Sequence, residues 1–463
     1  MTCNLNYMYG KVVDPPSVSR WLTIQRVIRF VKDPIPILDE SLKKYGSTYR
    51  FYLGGIRKSL ITIDPEVIRH VLQKNHRNYH KSEIQTDILG RFIGQGLLTS
   101  NGDYWLRQRR LIQPGFHREK LASLVDIMNE TITQYLDEYF IKSPTVDIYS
   151  HMNLLAFRVV VKSLFGADLP KEHLLELTRL ITIQQQFIIR LIRQPYLRGW
   201  FKLSGAIKKH EHLAERVRSI IRKVIADRQR SGERRDDLLQ MLLDSRYEDS
   251  GLGMSEKQLL DEAMILFIAG HETSANALAW AFFLLAHHPG ITSRVLDEIK
   301  FVSSERPTFS DLSKLKYTRQ VIDETMRLYP PAWLIDRVAL ESDVANNYRI
   351  EKGMLVGIYV YGLHRNAVFW PEPDKFDPDR FQDSRNLTPF TYLPFGAGPR
   401  SCIGNNFAII EMQLVLFHVL SNFGLDLVFP DQKVKALPLV TLRPETGIDL
   451  KLSRRKPGIA IFS

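Results

Sequence analysis

Between Ser255 and Pro289 the sequence offers nothing that would end a helix, and this stretch constrains the fold more than any other. Ser255 is suited to cap the N-terminus, and Gln258, three residues on, to cap back. Pro289-Gly290 is the first stop signal. At 1.5 Å per residue this predicts a helix of about 50 Å, long enough to cross a whole domain. Its middle, Ala263–Ala269 (AMILFIA), is apolar on every side, so other elements must surround it. Inside the buried run sits Gly270-His271-Glu272-Thr273. A glycine and an acid cost stability there, and local rules broken in a buried helix point to a functional site.

The rest of the chain fits a large body around that rod. Short β-type runs occur early, at Thr48–Leu53 and Ser59–Ile63, and Asp64-Pro65 opens a helix after the second. From about Leu121 to Lys300 the periodicity is almost continuously helical, interrupted at Asp236-Asp237 and Glu248–Gly253. After Pro330 short strands alternate with prolines, followed by a last helix from Cys402 to about Phe423. The expected class is mainly α with a minor β part. No fixed-period repeat and no low-complexity linker divides the chain, so residues 1–463 are read as one domain.

Composition excludes several classes. No run of about eighteen apolar residues is present, so no integral membrane segment is expected, and the N-terminus lacks a secretory signal. The expectation is a cytoplasmic protein. The two cysteines, Cys3 and Cys402, cannot form a disulfide framework. The net charge of +12 suits an anionic partner, but no nucleic-acid-reading module accompanies it, and clusters such as Arg228–Arg235 read as loop charge. Trp21–Lys32 (WLTIQRVIRFVK) is amphipathic and basic; it reads as a packed first helix, with a membrane-surface helix as the alternative.

Cys402 sits in Phe395-Gly396-Ala397-Gly398-Pro399-Arg400-Ser401-Cys402-Ile403-Gly404. Glycines let such a backbone turn sharply and approach a flat ligand. A cysteine just before a helix is favoured as thiolate by the helix N-terminus, and a buried thiolate is suited to a metal. Phe395, Gly396, Gly398, Arg400, Cys402 and Gly404 match the cysteine-loop signature of the cytochrome P450 superfamily, which this chain resembles from about Asp33 to its C-terminus.

The resemblance implies a haem-thiolate fold in one large domain, with haem b between the long central helix and the cysteine-loop helix. It makes Cys402 the iron ligand, and Phe395, Gly396 and Gly404 part of the haem loop. Trp105 and Arg109, four apart on one helix face, are expected to bind haem propionates together with Arg337 and Arg400. Arg107 and Arg110 point elsewhere, toward a partner surface. Ala269-Gly270-His271-Glu272-Thr273 resembles the oxygen-activation motif: Gly270 would leave room for a diatomic ligand, and Glu272 and Thr273 would deliver protons to it. The bland alternative for Thr273 is a hydroxyl bonded back to the carbonyl four residues earlier. Glu324, Arg327 and Arg380 are implied to form a structural ion network. Departures are Ser274, where threonine is frequent, and Asp336, an acid beside Arg337.

The implied activity is monooxygenation, with O2 as co-substrate and electrons from a separate ferredoxin or flavodoxin plus reductase. A monomer is the default. Residues expected near substrate are Gln185, Gln186, Ile268, Trp333 and Val440. The run Gln184-Gln185-Gln186 tilts the expectation toward a small oxygenated substrate, such as a methylated sugar undergoing O-demethylation. The alternatives are a fatty-acid or terpenoid hydroxylase, a peroxide-using hydroxylase, and a non-catalytic haem protein.

Overall fold

The computed structural model of the protein describes residues 12–455 except Asp168, Glu248 and Ser303; Cys3 lies outside them. Its axis is the expected rod, an α-helix at Glu256–His287. Ser255 and Gln258 form the reciprocal cap, each side-chain oxygen accepting the other's backbone N–H at 3.3 Å. Pro289 starts a new helix, Pro289–Lys300. Most side chains of the rod are buried. Ile148–Phe165, Lys316–Leu328 and the last helix, Asn405–Asn422, all pack on it. Trp280 stacks flat on Tyr329 at 3.8 Å between ring centres. Burial of this kind contributes about 1.5–3 kcal/mol per large apolar side chain.

The β part forms a separate layer. A five-stranded sheet runs in the order Thr48–Leu53, Arg57–Thr62, Leu355–Ile358, Ile335–Ala339, Tyr79–His80. The pairing of Arg57–Thr62 with Leu355–Ile358 is parallel and joins segments far apart in sequence. The second strand starts at Arg57, two residues before the expected Ser59. Tyr329 packs against both the helical core and the core beneath the sheet, so the two adjoin.

Three expectations need correction. The last helix starts at Asn405, leaving Cys402 in the preceding loop. Arg228 is buried in the helix Ala206–Ser231 and paired with Asp237 at 2.6 Å, because the chain folds back over it; it is not loop charge. Trp21–Lys32 forms two short helices whose apolar stripe faces outward. Among the described residues no helix is long and apolar enough to cross a membrane.

Candidate active site

The cysteine loop is shaped by its glycines. Gly396 and Gly398 take positive φ, +69° and +70°, and a Cβ on Gly398 would collide with the Leu72 carbonyl oxygen. The Cys402 N–H closes the loop by donating to the Phe395 carbonyl at 2.9 Å. Gly404 stands directly before the helix Asn405–Asn422. The Cys402 thiol is accessible. Its surroundings are nonetheless dense enough that burial pushes its pKa up, opposed by the Gly404 N–H and Arg109. Among the described residues no cluster of His, Cys, Asp or Glu forms a metal site.

Beside the loop lies a concentration of positive charge, half-buried at Arg109 and Arg400 and buried at Arg337 and Lys81. Trp105 and Arg109 share the helix Gly102–Ile112, and Arg109 donates to the Ser401 carbonyl at 2.8 Å. The Arg400 guanidinium lies over the Trp105 ring at 4.6 Å and donates to Asn101 at 2.7 Å. Its Nε is buried without a partner. Burial, then repulsion from Arg337, lowers its pKa to about 10. Arg337 is buried too, and burial lowers its pKa against the opposing pull of Asp336. Lys81, which the sequence reading missed, joins them; burial and both arginines push its pKa well down. Its position between His80 and Ser82 carries no local signal of this. Unneutralised buried cations cost several kcal/mol each, so the cluster calls for an anionic group. An iron ligand beside such a cluster fits a haem with two propionates.

The Asp336 side chain leaves the strand on the face opposite Arg337, although its charge still acts on both Arg337 and Lys81. There its carboxylate accepts hydrogen bonds from the Ser82 hydroxyl and the Gln85 amide.

On the central helix, Ala269 is exposed while Gly270 and Thr273 are half-exposed, in the middle of an otherwise buried rod. These residues face an internal opening. A Cβ on Gly270 would lie 3.2 Å from Val160, so this glycine also admits the neighbouring helix. The Thr273 hydroxyl donates back to the Ala269 carbonyl at 3.1 Å. Glu272 is not paired with it. Its buried carboxylate accepts from Gln185 Nε2 and from Thr441 Oγ1, the latter at 2.5 Å. Burial raises its pKa, and Thr441, Gln185 and Arg443 pull it back.

The expected substrate residues separate. Gln184 donates to the His210 carbonyl at 2.6 Å, and Gln185 is taken by Glu272. Gln186 lies on the exposed stripe of the helix Lys171–Arg193, with Leu175, Arg179 and Arg190, and faces away from the core. Trp333 is buried, its indole N–H donating to the Leu439 carbonyl at 3.0 Å. Ile268 and Val440 border an apolar cluster that includes Ile88, Phe92, Phe187, Phe201 and Ile265.

Away from the opening, Glu324 and Arg327 form a fully buried bidentate pair at 2.6 and 2.8 Å. Arg327 also donates to the carbonyls of His364, Pro373 and Lys375. Arg380 lies 3.4 Å from Glu324.

Comparison with known proteins agrees with this arrangement. The cytochrome P450 family model matches residues 15–452. Cyclooctat-9-en-7-ol 5-monooxygenase of Streptomyces melanosporofaciens is 32% identical over 83% of this chain and 84% of its own. Cyclooctatin synthase of the same organism is 31% identical over 87% and 88%. The chloroplastic protein LUTEIN DEFICIENT 5 of Arabidopsis thaliana is 30% identical over 99% and 81%. With the cysteine loop beside a cluster of cations and the family match over nearly its whole length, the chain belongs to the cytochrome P450 family and is a haem-dependent monooxygenase using O2.

Proposed function

We propose that this enzyme hydroxylates an apolar substrate of terpenoid type. The observation that carries this reading is the apolar cluster of Ile88, Phe92, Phe187, Ile188, Phe201 and Ile265, bordered by Ile268 and Val440, which adjoins the opened stretch of the central helix through Ile265 and Ile268. A polar substrate would lose its hydration there without compensating partners. The sugar-ether reading rested on the run Gln184-Gln185-Gln186, and these meet the His210 carbonyl, Glu272 and solvent respectively. Relatives named as a cyclooctat-9-en-7-ol monooxygenase and an echinocystic acid monooxygenase are consistent with an apolar, polycyclic substrate.

Cys402 would ligate the haem iron, with Phe395, Gly396 and Gly404 shaping its loop. Trp105, Arg109, Arg337, Arg400 and Lys81 would hold the propionates. The thiolate-bound haem supplies the chemistry that splits O2 and oxidises a C–H bond. Thr273 holds a hydroxyl at the edge of the opening, where it can orient water and pass protons inward. Glu272 would feed that relay, with burial raising its pKa against the pull of Thr441, Gln185 and Arg443. Ala269 sets how closely substrate approaches. Electrons come from a separate ferredoxin or flavodoxin with its reductase, on the cytoplasmic side, to a monomeric enzyme.

Two optical measurements test this. The reduced protein under carbon monoxide should show the red-shifted Soret band of thiolate ligation, and Cys402→His should lose it; an unchanged spectrum overturns the ligand assignment. Titration with terpenoid alcohols should shift the haem from low to high spin, and methylated sugars should not. A larger shift with the sugars overturns the substrate class.

A further inference from the structure

Four arginines are buried among the described residues: Arg193, Arg228, Arg327 and Arg337. Burying a cation is strongly unfavourable unless an anion meets it. Arg228 is paired with Asp237 and Arg327 with Glu324, each at 2.6 Å. Arg337 belongs to the cluster that would hold the haem propionates. Arg193, the last residue of the helix Lys171–Arg193, is 5% exposed, and no carboxylate of the described residues forms an ion pair with it. Asp33 acts on it from a distance only, and is itself bonded to Lys435 at 2.9 Å. Burial accordingly lowers the pKa of Arg193 to about 10.

Its hydrogen bonds fix the guanidinium without neutralising it. One terminal nitrogen donates to the Val31 carbonyl at 3.0 Å and the other to the Pro438 carbonyl. Carbonyls satisfy donors but carry no charge. A guanidinium has five N–H donors, so some remain free, and a carboxylate takes two of them side by side. The surroundings are those of the substrate region. Phe187, Ile188 and Leu191 of the same helix build the apolar cluster, and Val440 packs against it. Pro438 ends the strand Ala436–Pro438, and the turn after it carries Val440 and Thr441, which bonds to Glu272 of the central helix. One hairpin turn thus touches Arg193, the apolar cluster and the central helix.

We infer that Arg193 anchors the substrate, and that the substrate is a terpenoid carboxylic acid with its carboxylate on Arg193 and its apolar body in the cluster. The inference rests on the apolar-substrate reading above and adds the polar end of the molecule. A substrate hydroxyl would meet the free donors but not the charge; an ionised carboxylate meets both. The reasoning that gives Arg337 to the carboxylate of one ligand gives Arg193 to the carboxylate of another.

Spin-state titrations of the haem-loaded protein test this with abietic acid, its methyl ester and its primary alcohol, which share one ring system. The acid should bind about tenfold tighter, or more, than either neutral form. Arg193→Gln should bring the acid down to the level of the ester and leave the ester where it was, and Arg193→Lys should keep part of the acid's advantage. A residue that merely bridges helix and hairpin would weaken all three ligands together, and that result overturns the proposal. Equal affinities in the unsubstituted protein overturn it without any variant. If none of the three shifts the spin state, the terpenoid reading fails on its own. Palmitic acid against methyl palmitate then reads the anchor separately, and no preference for the acid overturns it.

Discussion

Thr273 combines two observations that pull in different directions. Its hydroxyl is bonded back to Ala269, as an ordinary helical threonine would be, yet it stands half-exposed beside the one opened stretch of a buried rod. The back-bond leaves the hydroxyl oxygen free to accept from water, and a positioned proton relay contributes about 10²–10⁴-fold. Thr273→Ala should therefore keep haem and substrate binding and still consume reductant, but release hydrogen peroxide in place of product. The ratio of product to reductant consumed measures this, and coupling equal to the parent's would reduce Thr273 to a packing residue. Positions like this were legible in sequence because the motif is local. Their partners were not. That two of three consecutive glutamines turn inward follows from helical periodicity, but that Gln185 meets Glu272 depends on a contact 87 residues away. Lys81 was invisible for the same reason: its significance comes from Arg337 and Arg400, supplied by other elements.

At the scale of elements, the helix after the cysteine loop is tied to the central helix through a buried acid. Glu411 on Asn405–Asn422 is fully buried, and neither carboxylate oxygen meets a donor at bonding geometry. Burial raises its pKa to about 8, with only the nearby Ser274 hydroxyl opposing. The folded state thus keeps a proton that the unfolded chain releases near its ordinary value of 4.5. Stability from this group is present below that value and is lost as pH rises toward 8, by about 1.4 kcal/mol per pH unit. Buried His271 and His418, lowered to about 4, act with the opposite sign below their ordinary value of 6.5. Buried Glu262, raised to about 7, adds to the fall up to that value, so the window that isolates Glu411 is from about 7 to 8. Denaturant midpoints of the haem-loaded protein should fall across it, and Glu411→Gln should flatten the fall; parallel curves would show that the carboxyl finds a compensating partner. The rod and its capping box were readable because cap and period are both encoded within the helix. The orientation of Trp21–Lys32 was not, since an amphipathic pattern says that one face differs from the other and leaves open what covers it.

For the molecule as a whole, charge is the property that the fold redistributes most. Part of the basic excess of the sequence lies around Arg400 and in a groove beside the helix Gly102–Ile112. That groove, of about 680 Å³, has cationic Arg107, Arg110, Lys120 and Arg246 among its walls, with acids that mostly pair within it. Arg110 is exposed one residue from Arg109, whose guanidinium holds the Ser401 carbonyl next to Cys402. An acidic electron carrier drawn to Arg110 would therefore arrive close to the thiolate side of the haem. Association steered by exposed charge weakens as salt shortens the Debye length, to about 10 Å at 0.1 M. Reduction by an acidic ferredoxin should slow with increasing salt. Arg110→Glu should slow it several-fold at low salt with an unchanged carbon monoxide spectrum, and the two proteins should converge at high salt. Stopped-flow reduction under carbon monoxide reads each rate directly. Identical rates for both proteins at every salt concentration would place the electron entry elsewhere on the surface.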